Sequence, residues 1–170
     1  ADTLIQVLDG LGTQNTPPPF DVVVVDDGSR DATADRLREY RAAYPFRAIS
    51  QKNGGPASAR NRGVREARGR YVLFLGDDTV PEKGLLSAHA AAQMEERPYS
   101  AAVLGYTTWP RERHVSPFLH HINEYGLQFG YALIEDPESV PFNFFYTSNI
   151  SVPRELLLAE GLFDTTFPHA

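Results

Sequence analysis

Residues 53–78 read NGGPASARNRGVREARGRYVLFLGDD, and this stretch decides the fold class of the chain. The glycine-glycine-proline sequence that ends at Pro56 predicts the first turn of a helix. Proline has no backbone N–H, and the first N–H groups of a helix have no partner within the helix, so proline is well tolerated there. The helix runs to about Ala67 and leads into Tyr71–Leu75, an apolar run typical of a strand buried on both faces. A helix that leads directly into such a strand is the repeating unit of an α/β sheet.

The same alternation extends to both sides of this stretch. Upstream, apolar residues at helical spacing open the chain, a run of four valines follows, and Asp31 can cap the next helix. We expect helices over residues 1–11, 31–43 and 81–96, and strands over residues 22–25, 47–50 and 102–106. Strands that alternate with helices through residue 106 predict an α/β fold with a mostly parallel, doubly wound sheet.

The pattern changes after Trp109, where aromatic residues and histidines become frequent. We expect a helix over residues 118–131, a short apolar strand or loop over 142–150, and a helix over 154–160 that stops at Gly161. The histidines match no spacing typical of metal ligands, and we interpret most of the aromatic residues as core. This second part, residues 109–170, reads as a subregion of one domain over 1–170 and not as an independent fold.

Composition excludes several classes of function. The net charge is −6 and the pI about 5.3, so the chain lacks the basic footprint of a nucleic-acid-binding protein. The arginines between Arg60 and Arg70 are a local cluster that suits a small anionic ligand better than a polymer. There is no cysteine for a disulfide or a thiolate metal site, and no apolar stretch approaches the roughly 20 residues of a membrane span.

Three polar clusters lie at the ends of expected strands or at the start of an expected helix. Asp26 and Asp27 end the valine strand, residues 53–63 carry the glycines and Arg60, and residues 76–78 carry a second acidic pair. Each cluster alone also fits a plain structural role, namely a turn with a helix cap, a glycine-capped helix, and an acidic turn. Because ligands of open α/β sheets bind outside the carboxyl ends of strands, all three together predict one binding site at that edge.

The residue types in these clusters suit an anionic nucleotide. An aspartate can accept hydrogen bonds from a ribose hydroxyl or a base, and a helix start with flanking glycines favours an anion. Asp77 and Asp78 are hard oxygen ligands that suit Mg²⁺ or Mn²⁺, which would also bridge phosphate oxygens.

The order of the motifs resembles glycosyltransferase family 2. The resemblance rests on VVVVDDGSRDAT, then on NGGPASARNRGVREARGRYVLFLGDD, and then on TSNISVPRELLLAEGLFDTTF, which together cover nearly the whole chain. It implies a GT-A fold and an inverting transfer of a sugar from a nucleotide-diphospho-sugar. Residues 1–108 would be the nucleotide-sugar-binding part and residues 109–170 the acceptor-side part.

The resemblance also assigns roles to residues. Asp26 and Asp27 would hold the nucleoside, the helix that opens at Gly55 and Pro56 would line the same pocket, and Arg60 would lie near the base or ribose. Asp78 would be the metal-binding carboxylate of the DXD motif. Ser148 and Asn149 would lie beside the sugar and acceptor, and Asp164 would either contact the acceptor or cap a turn.

The chain departs from the family pattern at Gly76, where the family usually has aspartate. Asp77 either compensates for that change, or the metal and diphosphate rest mainly on Asp78. The family also begins with a central apolar strand between those of residues 22–25 and 71–75, and carries an acidic general base after the segment that ends at Phe167. We therefore expect an incomplete view of a longer enzyme, two strands that do not pair directly with each other, and a base beyond Ala170.

The function that the resemblance implies is a metal-assisted glycosyltransferase with a divalent cation, Mn²⁺ or Mg²⁺, and a UDP-sugar as the default substrate. The acceptor would be a glycan, a lipid-linked molecule or a small molecule, with no nucleic acid polymer as a partner. We expect a cytoplasmic protein and leave open its attachment to the inner face of a membrane, without a transmembrane segment in this chain. Alternatives are a sugar nucleotidyltransferase, whose glycine-rich phosphate loop is not visible here, and a non-catalytic nucleotide- or glycan-binding module.

Overall fold

The computed structural model describes residues 1–95, 102–110, 114–126 and 128–167. Two short 3₁₀ turns, Tyr131–Leu133 and Phe142–Phe144, precede the last strand. None of the described helices is both long and apolar enough to cross a membrane. In chain order the helices and strands are α1 (Asp2–Gly12), β1 (Val22–Asp26), α2 (Thr33–Glu39), β2 (Phe46–Ser50), α3 (Pro56–Glu66), β3 (Tyr71–Leu75), α4 (Leu85–Glu95), β4 (Val103–Leu104), α5 (Pro117–Tyr125), β5 (Asn149–Pro153) and α6 (Arg154–Ala159).

The strands form two sheets. β1 and β2 pair in parallel, from Val22 opposite Phe46 to Asp26 opposite Ser50. The second sheet has the order β3-β5-β4, in which β5 runs antiparallel to both neighbours. The α/β fold class is confirmed, and so is the expectation that β1 and β3 do not pair directly with each other.

Helix α3 connects the two sheets. A Cβ added at Gly63 would lie 3.8 Å from Val25 Cγ2 of β1, so the helix passes close to the first sheet. On the next residue, the Val64 side chain has no solvent exposure and packs with Phe74 of β3 and Ile150 of β5 in the main core cluster. Gly63 thus allows α3 to lie near the β1–β2 sheet, while Val64 packs α3 against the β3-β5-β4 sheet.

The two faces of β5 are covered differently. Ile150 and Val152 point to the core under α3 and α6, whereas Asn149 and Ser151 point to α4, as the alternation of side chains along a strand requires. All five residues of β5 are buried. A strand that alternates apolar and polar residues while buried on both faces must satisfy its polar face with hydrogen bonds.

Helix α1 is fastened to the segment before α4. A Cβ on Gly10 would lie 2.9 Å from the ring of the buried Pro81, so only glycine allows this approach. The Gln14 side chain donates to the carbonyl oxygen of Glu82 at 2.8 Å and accepts from the amide of Leu86 at 3.1 Å. These contacts hold residues 81–84 in place, which explains why α4 begins at Leu85 and not at Pro81.

Other boundaries also differ from the expected ones, including the end of α5, which is at Tyr125 and not at Tyr131. Helix α2 ends at Glu39 and not near Ala43, because Tyr40 turns to an extended conformation. There its ring packs edge-on against Phe46 with centroids 5.4 Å apart, and its hydroxyl donates to Asp9. The apolar segment expected over 142–150 forms a 3₁₀ turn first, and its strand covers Asn149–Pro153 instead, opposite β3. The expected helix end at Glu96 lies outside the described residues.

The aromatic residues of the second part are divided between core and surface. Phe129, Tyr131, Phe144 and Tyr146 pack against one another as expected. Three others are exposed, so for them the prediction of a core position is wrong, and these are Tyr125, Phe142 and Phe145. The histidines at 114, 120 and 121 lie on the surface, as expected.

Candidate active site

The Asp27 carboxylate joins the end of β1 to the start of α3. Its Oδ1 accepts hydrogen bonds from the Gln51 side chain at 2.8 Å and the Gly54 amide at 2.9 Å, and its Oδ2 accepts from the Gly55 amide at 2.8 Å. The Asn53 side chain donates to the backbone carbonyl oxygen of Asp27 at 2.9 Å. The structure therefore brings the first two predicted clusters into direct contact.

These hydrogen bonds fix the charge of Asp27. Burial alone would raise the pKa of the carboxyl, but the hydrogen bonds from Gln51, Gly54 and Gly55 outweigh it and lower the pKa below its usual value. A carboxylate has about four acceptor positions, and the protein fills three of them. One acceptor position, on Oδ2, has no hydrogen-bond donor among the described residues.

Asp26 and Gly28 shape the turn beside Asp27. Asp26 is buried, and its Oδ1 accepts from the Ser29 amide at 2.9 Å, which is the turn-forming role that the sequence also allowed. Gly28 has a φ of 79°, and a Cβ there would lie 3.1 Å from the Asn53 amide nitrogen. The turn therefore needs glycine both for its backbone angle and for its contact with the β2–α3 loop.

Helix α3 begins as the sequence predicts. Gly55 is its N-terminal cap with a φ of 87°, and Pro56 occupies the first turn. The half-buried Arg60 lies one turn further along, and its guanidinium carbon is 5.8 Å from the centre of the Phe163 ring. Burial lowers the pKa of Arg60, and no carboxylate in the described residues forms an ion pair with it. A cation placed in this way favours an anionic ligand.

The second acidic pair lies after β3. Asp77 and Asp78 are both exposed, and Asp78 Oδ1 has only the Thr79 hydroxyl at 3.4 Å as a partner among the described residues. A Cβ on Gly76 would lie 2.7 Å from Thr79 Oγ1 and 3.0 Å from Asp78 Oδ1. Glycine at the first motif position thus gives room for the side chains of the third and fourth positions to fold back over it.

This pair suits a metal that arrives with a phosphate group. In the part of the chain that the structure describes, no group of three or more histidine, aspartate or glutamate side chains is arranged to hold a metal ion. Mg²⁺ at phosphate sites commonly takes one or two carboxylates, with phosphate oxygens and water as the other ligands. The uncommitted oxygens of Asp77 and Asp78 fit that coordination, whereas those of Asp27 are mostly occupied by the protein.

Ser148 adjoins the turn of Asp78. The carbonyl oxygen of Ser148 accepts from the Gly76 amide at 2.9 Å, which continues the β3–β5 ladder into the acidic turn. The Ser148 hydroxyl is buried without a hydrogen-bond partner among the described residues. A buried hydroxyl without a partner costs free energy, so Ser148 is an under-satisfied polar group in the segment that adjoins the acidic turn.

Comparison with known proteins shows which family the chain belongs to. The family model for Glycosyl transferase family 2 matches residues 1–155. The chain belongs to glycosyltransferase family 2. Hyaluronan synthase from Pasteurella multocida is 25% identical over 188 residues, which cover 94% of this chain and 19% of that protein.

Solved structures share the GT-A fold of this family 2 chain. S. aureus TarS in complex with UDP-GlcNAc matches with a TM-score of 0.69 and 25% identity, over 94% of this chain and 44% of that one. The mannosyltransferase PcManGT from Pyrobaculum calidifontis, in complex with GDP-Man and Mn²⁺, matches with a TM-score of 0.74 and 24% identity, over 97% of this chain and 44% of that one. The family 2 chain thus spans less than half the length of each of these relatives.

A buried polar network behind Asn149 was not predicted from the sequence of this family 2 chain. Asn149 donates to the carbonyl oxygen of Tyr106 at 3.2 Å, so its Oδ1 is the acceptor for His89 Nε2 at 3.0 Å. His89 Nδ1 then accepts from the Ser151 hydroxyl at 2.9 Å, and that hydroxyl accepts from Gln93 at 3.0 Å. With a neutral imidazole that carries its proton on Nε2, every side chain in the network has a partner, and burial lowers the pKa of His89, which favours this neutral form.

The only sequence signal for this network is the spacing on each element. His89 and Gln93 are four residues apart on α4 and share a face, as Asn149 and Ser151 share a face of β5. The sequence around either pair gives no indication that His89 and Gln93 contact Asn149 and Ser151. Both amide atoms of Asn149 are bound within the protein, so the structure gives this residue a positioning role next to Ser148.

The last predicted residue, Asp164, caps a turn. Its Oδ1 accepts from the Thr166 amide at 2.8 Å, and this hydrogen bond lowers the pKa of the exposed carboxyl. The preceding Phe163 packs edge-on against Phe74 with centroids 5.3 Å apart and lies against the main core cluster. Asn61 of α3 binds both backbone groups of Phe163, at 2.8 and 2.9 Å. Asp164 is thereby held next to the helix that carries Arg60.

We predict that Asp27→Asn destabilises the chain. An amide can keep only one acceptor oxygen, so its NH₂ group must face a backbone N–H of Gly54 or Gly55 and leave that group unsatisfied. The free energy of unfolding should fall by about 1–3 kcal/mol, as measured by urea denaturation at pH 7. Asp35→Asn is the matched control, because the Asp35 side chain is 74% exposed and should change stability by less than about 0.5 kcal/mol. An equal loss in both variants would contradict the role given to Asp27.

We predict a pH-dependent contribution from His89. Burial lowers the pKa of its imidazole, against a smaller opposing effect of the hydrogen bond with Asn149. Below the usual histidine pKa of about 6.5, the unfolded chain therefore takes up a proton that the folded chain does not. The free energy of unfolding then decreases as the pH falls, by up to about 1.4 kcal/mol per pH unit.

His89→Gln isolates this contribution. The stability difference between the wild type and His89→Gln, measured by urea denaturation, should shrink as the pH falls from about 7.5 to about 5.5. The exposed His121 serves as the control, since His121→Gln should follow the wild-type pH profile. A difference between wild type and His89→Gln that stays constant with pH would show that His89 is not the titrating group.

Proposed function

We propose that this family 2 chain binds a nucleotide-diphospho-sugar and takes part in the inverting transfer of its sugar to an acceptor hydroxyl. The observation that carries the proposal is the contrast between the two acidic pairs. Asp27 accepts three hydrogen bonds from the protein and Asp26 is buried, whereas Asp77 and Asp78 are exposed in the turn whose Gly76 amide donates to the carbonyl oxygen of Ser148.

We propose UDP-sugar as the substrate that supplies the sugar. Support comes from the TarS relative, which was solved with UDP-GlcNAc at 25% identity. The nucleoside would lie against Asp27, with Gly55 and Pro56 lining the pocket and Arg60 near the base or ribose. The remaining acceptor position of Asp27 Oδ2 suits a ribose hydroxyl or a base N–H, because both are hydrogen-bond donors. Asp26 would keep the turn in shape and act through Asp27.

We propose that a divalent cation, Mn²⁺ or Mg²⁺, binds to Asp78 together with the diphosphate. The metal supplies Lewis-acid stabilisation of the departing nucleoside diphosphate when it is bound. Asp77 would compensate in part for the missing aspartate at position 76. That Asp27 and Asp78 face one shared pocket is part of this proposal, and it is supported by their positions directly after the carboxyl ends of β1 and β3.

We assign the acceptor side to Ser148, Asn149 and Asp164. Ser148 would donate or accept a hydrogen bond at the sugar, Asn149 would hold Ser148 in place, and Asp164 would border the acceptor. The division into a donor part over residues 1–108 and an acceptor part over 109–170 follows from these roles. The acceptor class extends to glycans, lipid-linked molecules and small molecules, and the absence of cysteine in the sequence suits a cytoplasmic reaction.

A non-catalytic nucleotide-binding module would use the same contacts without turnover. The two cases differ in one observable, the metal-dependent hydrolysis or transfer of the sugar from its nucleotide. Release of UDP from a UDP-sugar in the presence of Mn²⁺ supports the enzyme. Binding of the UDP-sugar without any release of UDP supports the module.

The proposal predicts that Asp78→Asn weakens metal-dependent binding of UDP. The change removes the charge but keeps the size of the side chain, and Asp78 is exposed, so the fold should be unaffected. In isothermal titration with UDP and Mn²⁺, the affinity should fall at least about 30-fold, which corresponds to ~2 kcal/mol. In EDTA, wild type and variant should bind UDP equally weakly.

Asp77→Asn is the matched control, because it makes the same charge change on the adjacent exposed residue. It should cost less affinity than Asp78→Asn. Wild-type affinity of the Asp78→Asn protein for UDP in Mn²⁺ would overturn the metal assignment.

A further inference from the structure

One peptide unit connects the start of β5 to the acidic turn of residues 76–78. The carbonyl group of Ser148 and the backbone N–H of Asn149 belong to this unit, which is planar. Its carbonyl oxygen accepts from the Gly76 amide at 2.9 Å, and its N–H donates to the carbonyl oxygen of Tyr146 at 3.3 Å. A rotation of this peptide unit therefore breaks the hydrogen bond that holds the first residue of the turn.

The Asn149 side chain is enclosed by three contacts and is 3% exposed as a residue. Its Oδ1 accepts from His89 Nε2 at 3.0 Å, and its Nδ2 donates to the carbonyl oxygen of Tyr106 at 3.2 Å. A Cβ on Gly105 would lie 2.4 Å from the same Nδ2, so a side chain at position 105 would displace the amide. Of these three contacts, the one with His89 is the only one made by a side chain.

His89 is itself held at both ring nitrogens. Besides the bond from Nε2 to Asn149, its Nδ1 accepts from the Ser151 hydroxyl at 2.9 Å. Gln93, one turn further along α4, donates to both the hydroxyl and the carbonyl oxygen of Ser151 at 3.0 Å. Because both nitrogens are bonded in a buried site, the imidazole has one orientation, and it links α4 to the side chain of Asn149.

We propose that His89 is a positioning residue for the acidic turn. By holding the Asn149 side chain it fixes the peptide unit before Asn149, and through the Gly76 amide it fixes the turn that carries Asp77 and Asp78. A turn that is already ordered loses less conformational entropy when its carboxylates bind a metal. The inference rests on the proposed function in one respect, the assignment of the metal to Asp78.

Two substitutions of His89 each keep one of its two hydrogen bonds. The amide of asparagine lies at about the position of Nδ1, and the amide of glutamine at about the position of Nε2. His89→Asn therefore keeps an acceptor for the Ser151 hydroxyl and loses the donor to Asn149, whereas His89→Gln keeps that donor and loses the acceptor. Since each variant loses one buried hydrogen bond, a purely structural role predicts equal effects of both.

The first measurement is hydrogen exchange of the Gly76 amide in the ¹⁵N-labelled chain, at a pH above the usual histidine pKa of about 6.5. Exchange of this amide requires its bond to Ser148 to open, whereas exchange of the Val64 amide in the core reports overall unfolding. Relative to Val64, Gly76 should exchange about tenfold faster in His89→Asn than in the wild type, because one buried hydrogen bond is lost. In His89→Gln the ratio should stay within about twofold of the wild type.

The second measurement is isothermal titration with UDP and Mn²⁺. His89→Asn should weaken binding about threefold or more, and His89→Gln should stay within about twofold of the wild type. In EDTA the three proteins should bind UDP alike, because the turn then holds no metal. A general loss of stability would lower the affinity in both variants and in both conditions.

Gly105→Ala serves if His89→Asn does not fold. The added methyl group displaces the Asn149 amide from the other side and leaves His89 and Ser151 unchanged, so both measurements should change as in His89→Asn. Gly84→Ala is the matched control, because a Cβ at Gly84 has no neighbour within 4 Å. It should leave the exchange ratio and the affinity for UDP at the wild-type values.

The proposal is overturned if the Gly76 ratio is the same in the wild type and His89→Asn, or rises equally in both His89 variants. It is also overturned if the exchange ratio rises in His89→Asn while the affinity for UDP in Mn²⁺ stays at the wild-type value. If the wild type does not bind UDP in Mn²⁺, the proposed function fails. The exchange ratio, which needs neither metal nor nucleotide, then still decides whether His89 holds the turn.

Discussion

The contact on which this structure most depends is the Asp27 carboxylate at the start of α3. Three donors, two of them backbone amides, bind its oxygens and so couple the end of β1 to the β2–α3 loop. Amides at a helix start have no partner inside the helix and favour a negative charge, so this position stabilises both the helix and the carboxylate. With its start fixed, α3 places Val64 in the core and holds Phe163 through Asn61.

The same contact explains why the two acidic pairs differ in how many of their carboxylate oxygens the protein binds. A carboxylate that orders the protein has little capacity left for a metal, whereas one that the protein leaves exposed is available to it. Asp27 is the first kind and Asp78 is the second. The glycine at position 76 reinforces the difference, because it lets the Asp78 and Thr79 side chains fold over the turn.

Much of the fold was predictable because its signals are local. Gly55 and Pro56 define the start of α3, and the uninterrupted apolar run defines β3 to the residue. The meeting of Asp27 with the glycine loop followed from the rule that strand ends share a sheet edge. The rest depended on distant contacts. The Tyr40 hydroxyl at the end of α2 donates to Asp9, 31 residues earlier, and His89 binds Asn149, sixty residues later. Neither sequence neighbourhood indicates its partner.

The central claim is that one site at the ends of β1 and β3 binds the nucleotide through Asp27 and the metal through Asp78. A crystal structure with UDP and Mn²⁺, with data collected for the anomalous signal of manganese, tests it most directly. The account predicts an anomalous peak within about 2.5 Å of an Asp78 carboxylate oxygen, and a nucleoside against Asp27, Gly55 and Pro56. A manganese ion bound away from Asp78, or a nucleoside that contacts neither Asp27 nor the start of α3, would contradict it.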